Sequence, residues 1–261
     1  MSQEKLRLGG MALRNGLLVH GPTHWAASVR APDGSIRTAS GRKPRVRGFD
    51  RVPGARGLAK LVEAFAVIPL VKRGLPEAQL PFQDVSVVGV AGGAAVVGSL
   101  LRKRTGGLAG EAAAGVVSLV PALFALRGGE LASYHGVEHK AIAAYEQDAP
   151  DAADAAKEHD RCGSNLVAPM LAANVAGAAL IRRVVERPGP VANAAVTLSS
   201  MAAAVEVFAW SERHADTRVA RALRRPGFEL QRVMGTREPD ERQLEVGRAA
   251  LEEILRVEGA A

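Results

Sequence analysis

Two histidines four residues apart, with a glutamate just before the second, stand at His135, Glu138 and His139. On a helix, positions i, i+3 and i+4 share a face, so these three side chains point the same way. Two imidazoles in that relation hold one tetrahedral metal ion, and the adjacent carboxylate is placed to take a proton from bound water. The order H-x-x-E-H is that of one class of zinc peptidases. Glu138 is the candidate general base. Tyr134 and Lys140, which flank the motif, and Arg161 are candidates to stabilise negative charge developing on a substrate.

A third ligand must come from elsewhere. His159 and Cys162 form a second spaced pair, and Cys162 is the only cysteine in the chain. Glu206 interrupts an otherwise uncharged stretch, and the inverted zincins take their third ligand from a Glu several tens of residues after the motif. The expected metal ligands are therefore His135 and His139, completed from His159, Cys162 and Glu206, with zinc the expected divalent ion. A structural metal site or a satisfied polar network is the competing reading of the same cluster. Other chemistries lack their motifs: there is no G-x-S-x-G elbow, no Walker loop and no G-x-G-x-x-G. The His159-Asp160 pair is shared with metal phosphohydrolases only as a dipeptide.

The elements that must hold such a site are read from where charge is missing. The chain has 261 residues, 34 basic and 27 acidic, a net charge of +7 and one Cys. The single Cys excludes a disulfide scaffold and any zinc site built from Cys pairs. A mean hydropathy of +0.03 in so charged a chain means that charge and apolar residues are segregated. Uncharged stretches run from Val85 to Leu101, Ala112 to Leu126, Cys162 to Ile181 and Pro188 to Val205. A bilayer core needs roughly 17–25 helical residues. The last two stretches suffice alone, and the second suffices only with Glu111 and the glycines before it. All four are rich in Ala and Gly, and Gly89 with Gly93 would let two helices approach closely. A soluble Ala-rich bundle is the alternative. Four spans put both termini and the motif on one side. Six of the 34 basic residues, Arg102, Lys103, Arg104, Arg182, Arg183 and Arg187, lie in the two connectors opposite. The bulk of positive charge favours a cytoplasmic motif side.

The flanks are different. His24–Arg30 and Ser35–Thr38 around Ala31-Pro32-Asp33-Gly34 predict a β-hairpin. Arg37–Lys60 is strongly basic with only Phe49 as an aromatic, which favours anionic lipid headgroups over nucleic acid. Leu58–Leu70 predicts an amphipathic helix, and Pro239–Val257 another that packs on the soluble part. The fold expected is mainly α: a polytopic membrane bundle of about four spans with a small N-terminal hairpin region and a C-terminal amphipathic helix. Its divisions are 1–84, 85–210 with the motif loop at 127–163, and 211–261.

The chain resembles the bacterial YqhQ family, described as multi-pass membrane proteins of undefined function and predicted metal-dependent enzymes. The resemblance rests on Tyr134-His135-Gly136-Val137-Glu138-His139-Lys140, Tyr145-Glu146, His159 with Arg161-Cys162-Gly163, Val205-Glu206, Leu230-Gln231, Thr236–Asp240 and Gln243–Val246. Looser matches are Gly9-Gly10, Gly21-Pro22, Asp33-Gly34 and Arg56-Gly57. Met11 and Asn15 stand where the family usually has Gln and Glu, and Asp160 where Pro is usual. The resemblance implies a multi-pass protein of the bacterial cytoplasmic membrane with its polar motifs on one side, and it names no substrate. The function expected is a membrane-embedded, zinc-dependent hydrolase, peptidase-like by motif order. A metal-stabilised scaffold, an ion transporter, and a membrane-anchored RNA- or ribosome-binding adaptor are the alternatives. A homo-oligomer is compatible with all of them.

Overall fold

The structure is a computed structural model that describes residues 5–46, 48, 55–127, 129–149, 151–185 and 188–259. Much of the basic segment at 42–56 lies outside these residues, as does Arg187. The N-terminal region is a four-stranded antiparallel meander of β1 (Gly9–Leu13), β2 (Gly16–His20), β3 (His24–Arg30) and β4 (Ile36–Arg42). The expected hairpin is β3–β4, with Arg30 opposite Ile36. Its turn is held by Asp33, whose Oδ1 accepts from the Ser35 amide at 2.9 Å and the Ser35 hydroxyl at 2.6 Å. The sheet has two covered faces. Leu17, Val19 and Ala26 face one core with Leu131, Val137, Leu244 and Ile254. Leu18, Trp25, Ala27 and Val29 face the other with Val67, Val71 and Leu75.

That second cover comes from Val67 and α2 (Ile68–Gly74), which follow α1 (Ala55–Ala66). The two helices occupy the place of the single helix expected over 58–70. Pro69 lacks an N–H for the carbonyl four residues back, so the helix restarts there as a first-turn proline.

His20, at the end of β2, is neutral in the fold. Burial comes first and the Lys43 charge second in lowering its pKa from 6.5 to about 4. Between those values the unfolded chain binds more protons than the folded one, so stability is full above about pH 6.5 and falls as pH drops towards 4. Thermal melts at pH 7 and pH 5 should show a larger acid loss for the wild type than for His20→Asn. Equal losses would count against this account.

Among the described residues four helical stretches are long and apolar enough to cross a membrane: Val85–Thr105, Gly107–Leu126, Gly163–Val184 and Val191–Arg213. The first is α3. The second is α4 (Gly107–Val117) and α5 (Val120–Leu126), broken where Pro121 enters the first turn of α5. The third joins a 3-10 turn at Gly163–Leu166 to α7 (Val167–Val184), and the fourth belongs to α8 (Pro190–Arg213). Each extends past the uncharged stretch that predicted it, so their ends carry Arg102, Arg182 and Arg213. Helices α3 and α4 form one hairpin, α7 and α8 another, and α4 packs on α7. At the connector end, buried Glu111 of α4 accepts from Arg102 Nε at 2.9 Å and Arg182 Nη2 at 2.7 Å, which clamps the two hairpins together. Most of the remaining helix surface faces outward and is apolar, with Val85, Val184 and Val191 each 84% exposed.

The other end carries α6 (Glu130–Gln147), α9 (Arg218–Leu230) and α10 (Glu241–Glu258). Helix α10 is the expected C-terminal helix. Asp240 and Gln243 make a reciprocal capping box at its start, and Gly259 ends it at φ 74°. It packs on the sheet and on α6. At its last turn Glu258 accepts from the amides of Thr23 and His24, both at 2.7 Å, and so pins the β2–β3 turn. Helix α9 is an element the sequence pattern did not single out. Thr217 caps it, and it leads through a π-turn at Gln231–Gly235 into a strap that reaches α10.

Candidate metal centre

Helix α6 sets His135 and His139 one turn apart on a common face, with ring centroids 4.4 Å from each other. Two further segments close over that face. The strap after α9 lies along α6, with the Arg237 amide donating to the Ala132 carbonyl at 2.9 Å. It fits because residue 136 is glycine: a methyl there would collide with the Arg237 carbonyl oxygen. The loop after α6 folds back on the other side and brings Lys157 to His139.

These segments fix both imidazoles. His135 Nδ1 lies 2.8 Å from the Gly235 carbonyl oxygen, and His139 Nδ1 lies 2.6 Å from that of Lys157. A carbonyl only accepts, so in each ring Nδ1 carries the proton and donates. Each Nε2 is then left with its lone pair. A backbone carbonyl behind the ligating ring is the usual way a metal-binding histidine is oriented. Burial is the largest influence on His139 and lowers its pKa, keeping it in the neutral form a ligand needs.

Cys162 completes the group. Its Sγ lies 3.4 Å from His135 Nε2, and among the described residues the ligand atoms of His135, His139 and Cys162 all fall within 4.8 Å of one another. Zinc–sulfur and zinc–nitrogen bonds in tetrahedral array separate S and N by about 3.5 Å. The donor set therefore fits one soft, nitrogen- and sulfur-loving ion. Cys162 stands at the start of the 3-10 turn before α7, where the Ser164 amide points at its sulfur from 3.5 Å.

Gln231 holds this turn in place, and its role was not visible in the sequence. Fully buried, it accepts from the His159 amide at 2.8 Å and donates to the Ser164 hydroxyl at 2.9 Å. It stands within one of the matched motifs, which marked the position without indicating its work.

The other expected site residues are distributed as follows. Glu138 is buried on the same side of α6, close against β1: a Cβ on Gly10 would lie 2.7 Å from its Cγ. Burial pushes its carboxyl above the usual range, and the neighbouring imidazoles of His135 and His159 oppose that shift. His159 lies beside the cluster rather than in it. Its ring is 5.7 Å from that of His139, and its Nε2 is 3.3 Å from Glu146, which also pairs with Arg161. Burial opposes ionisation of Glu146, but His159 and Arg161 outweigh it and hold the carboxyl below its usual range. Lys140 is turned to other work. Its Nζ donates to the Ala153 and Ala155 carbonyls at 2.9 and 2.8 Å and pairs with Glu238 at 2.6 Å, which uses all three donors. Tyr134 is buried in the core between sheet and helices, where burial raises its pKa. Glu206 lies half-buried on α8 and is engaged by a partner, outside the three-residue group.

Comparison with known proteins agrees with the motifs. The profile of the family described as "Protein of unknown function (DUF1385)" matches residues 130–257, which span α6 to α10. The chain is similar to "Uncharacterized protein YqhQ" of Bacillus subtilis (strain 168), at 24% identity over 311 aligned positions covering 99% of this chain and 96% of that protein. No solved structure matches. The matched region contains every residue of the histidine–cysteine group and both carbonyls behind it, and the two likenesses together support membership of the YqhQ/DUF1385 family of unknown function.

Proposed function

We propose that this protein is a membrane-embedded, zinc-dependent hydrolase with His135, His139 and Cys162 as metal ligands. The observation that carries the reading is the pair of carbonyl-locked imidazoles whose free nitrogens share a small space with a cysteine sulfur. Three protein ligands that leave a fourth position open distinguish a catalytic zinc site from a structural one, which has four. Zinc held there would supply a Lewis acid and lower the pKa of water. Glu138, next to His139 on the helix, takes the proton. Its partly apolar surroundings favour a base that passes a proton on readily. Arg161 and His159, joined through Glu146, form the charged border of the site.

The bilayer is supported by the outward apolar faces of four helices of membrane length, a surface that water would not tolerate. The motif side is assigned to the cytoplasm. Two of the six connector cations, Arg102 and Arg182, are committed to Glu111, which weakens their claim to be topological signals.

Purified protein, prepared without chelator, should hold one equivalent of zinc. His135→Ala, His139→Ala and Cys162→Ala should each lose it while keeping an elution volume like that of the wild type. Cobalt in place of zinc should show a thiolate charge-transfer band that Cys162→Ala abolishes. A wild type without metal would sink the proposal, and retention by the Cys162 variant would return the third ligand to His159 or Glu206.

A further inference from the structure

A cleft of about 470 Å³ opens where α8 ends and α9 begins. Four guanidinium groups line it, from Arg7, Arg161, Arg213 and Arg224, together with the carboxylate of Glu212 and two alanines. The five charged residues come from four separate parts of the chain. Arg7 precedes β1, Arg161 precedes Cys162, Glu212 and Arg213 end α8, and Arg224 belongs to α9.

The hydrogen bonding of this cleft is incomplete. Glu212 Oε2 accepts from Arg7 at 2.6 Å, while its Oε1 is buried with no hydrogen-bond partner among the described residues. Arg224 donates to the Ala215 carbonyl at 3.1 Å and lies 3.4 Å from Asp160, while its buried Nε has no partner among those residues. Both side chains are nearly enclosed, 12% and 11% exposed. A buried donor left unpaired is destabilising, so Arg224 Nε calls for an acceptor, while Glu212 Oε1 calls for a donor such as the O–H of a singly protonated phosphate. Glu212 already places one carboxylate among the arginines and satisfies only one of them directly. A tetrahedral oxyanion offers more acceptor oxygens in more directions and suits several guanidinium forks at once.

Two facts of position add to this. The cleft lies at the motif-side end of α8, where a membrane-length helix leaves its apolar stretch, so a group bound there would sit at headgroup level. Arg161 adjoins Cys162, so one turn of chain serves both the cleft and the metal cluster. We propose that this cleft binds the phosphate group of the substrate, and that the substrate is a phosphate-bearing molecule presented at the membrane surface. The substrate assignment rests on the metal-centre reading above; the binding of phosphate does not.

The test uses the full chain in nonionic detergent, titrated calorimetrically with dihexanoyl phosphatidic acid, inorganic phosphate and hexanoate. Phosphatidic acid should bind saturably and hexanoate should not. Displacement by inorganic phosphate would show that phosphate alone suffices, and its failure would show that the lipid is needed; either outcome supports the cleft. Arg213→Gln, on an exposed side chain, should weaken binding several-fold with an unchanged melting curve. Glu212→Gln, which removes the competing carboxylate, should tighten binding several-fold. No binding of either phosphate probe, equal binding of hexanoate, or unchanged affinity in the arginine variant or in Glu212→Gln would overturn the proposal. Zinc content measured on the same samples separates the two readings. Phosphate binding by a chain without metal keeps the cleft and removes the hydrolase, and metal without phosphate binding does the reverse.

Discussion

Glu138→Gln is expected to retain the full complement of zinc and to lower turnover by about 10²- to 10⁴-fold, the usual share of a positioned general base. The substitution keeps the volume that β1 has accommodated. Gly10 leaves room for the Glu138 side chain and no more, and the amide is the same size as the acid. The proposed ligand atoms belong to His135, His139 and Cys162, so the metal should not notice the change. What is lost is the group that accepts a proton. Turnover is measured on short-chain amide, ester and phosphoester amphiphiles that the wild type cleaves, with zinc determined in the same preparation. Loss of metal would make Glu138 a ligand or a support. Unchanged turnover with metal retained would place the base elsewhere.

Gly136→Ala is expected to remove metal binding without touching a ligand. The new methyl would meet the Arg237 carbonyl, which belongs to a backbone strap with little freedom to retreat. That strap is tied to α6 by the bond from Arg237 to Ala132, and two residues before Arg237 stands the Gly235 carbonyl that orients His135. Pushing it off α6 costs about 1–3 kcal/mol as an overpacking, and it also frees the His135 ring to turn. Loss of a partner behind a ligand typically weakens metal binding 10- to 100-fold. Competition with a chromogenic chelator reads the affinity, and a thermal melt reads the stability. A variant with a lower melting point but unchanged zinc affinity would show that the strap packs on α6 without serving the site.

How far the sequence could be read depended on what each element faces. The β3–β4 hairpin was legible because Pro32, Asp33 and Gly34 specify its turn and β4 is open on one side. Strands β1 and β2 were not. In β2, Leu17, Leu18 and Val19 are all fully buried, one face against α6 and α10 and the other against α2. Cover on both faces removes the alternation by which a strand is recognised. Helix α10 carried its own signals, with Asp240, Gln243 and Gly259 marking its ends. Helix α9 hid because Pro226 and Gly227 lie near its end. Gly227 is there for Asn165, whose backbone a side chain would meet.

The site divided in the same way. The spacing of His135, Glu138 and His139 reveals their common face, because one helix carries all three. The third ligand was left among His159, Cys162 and Glu206, since local spacing says nothing about how a returning loop of some twenty residues will close. In the structure Lys157 and Gln231 close it, and they do so with a backbone carbonyl and a neutral amide, groups whose residue types do not announce a ligand.

The carbonyl behind His135 belongs to Gly235, one hundred residues further along the chain. During synthesis the H-x-x-E-H motif therefore leaves the ribosome long before the group that orients its first histidine exists. Two more apolar helices must be made and placed in the meantime, and the nascent chain carries a cysteine and two mobile imidazoles through that interval. A tight, oriented zinc site can arise only once translation has passed the strap. On the proposed metal-centre reading, metal acquisition is a late step in the maturation of this protein, and chains arrested before residue 235 have no finished site to load.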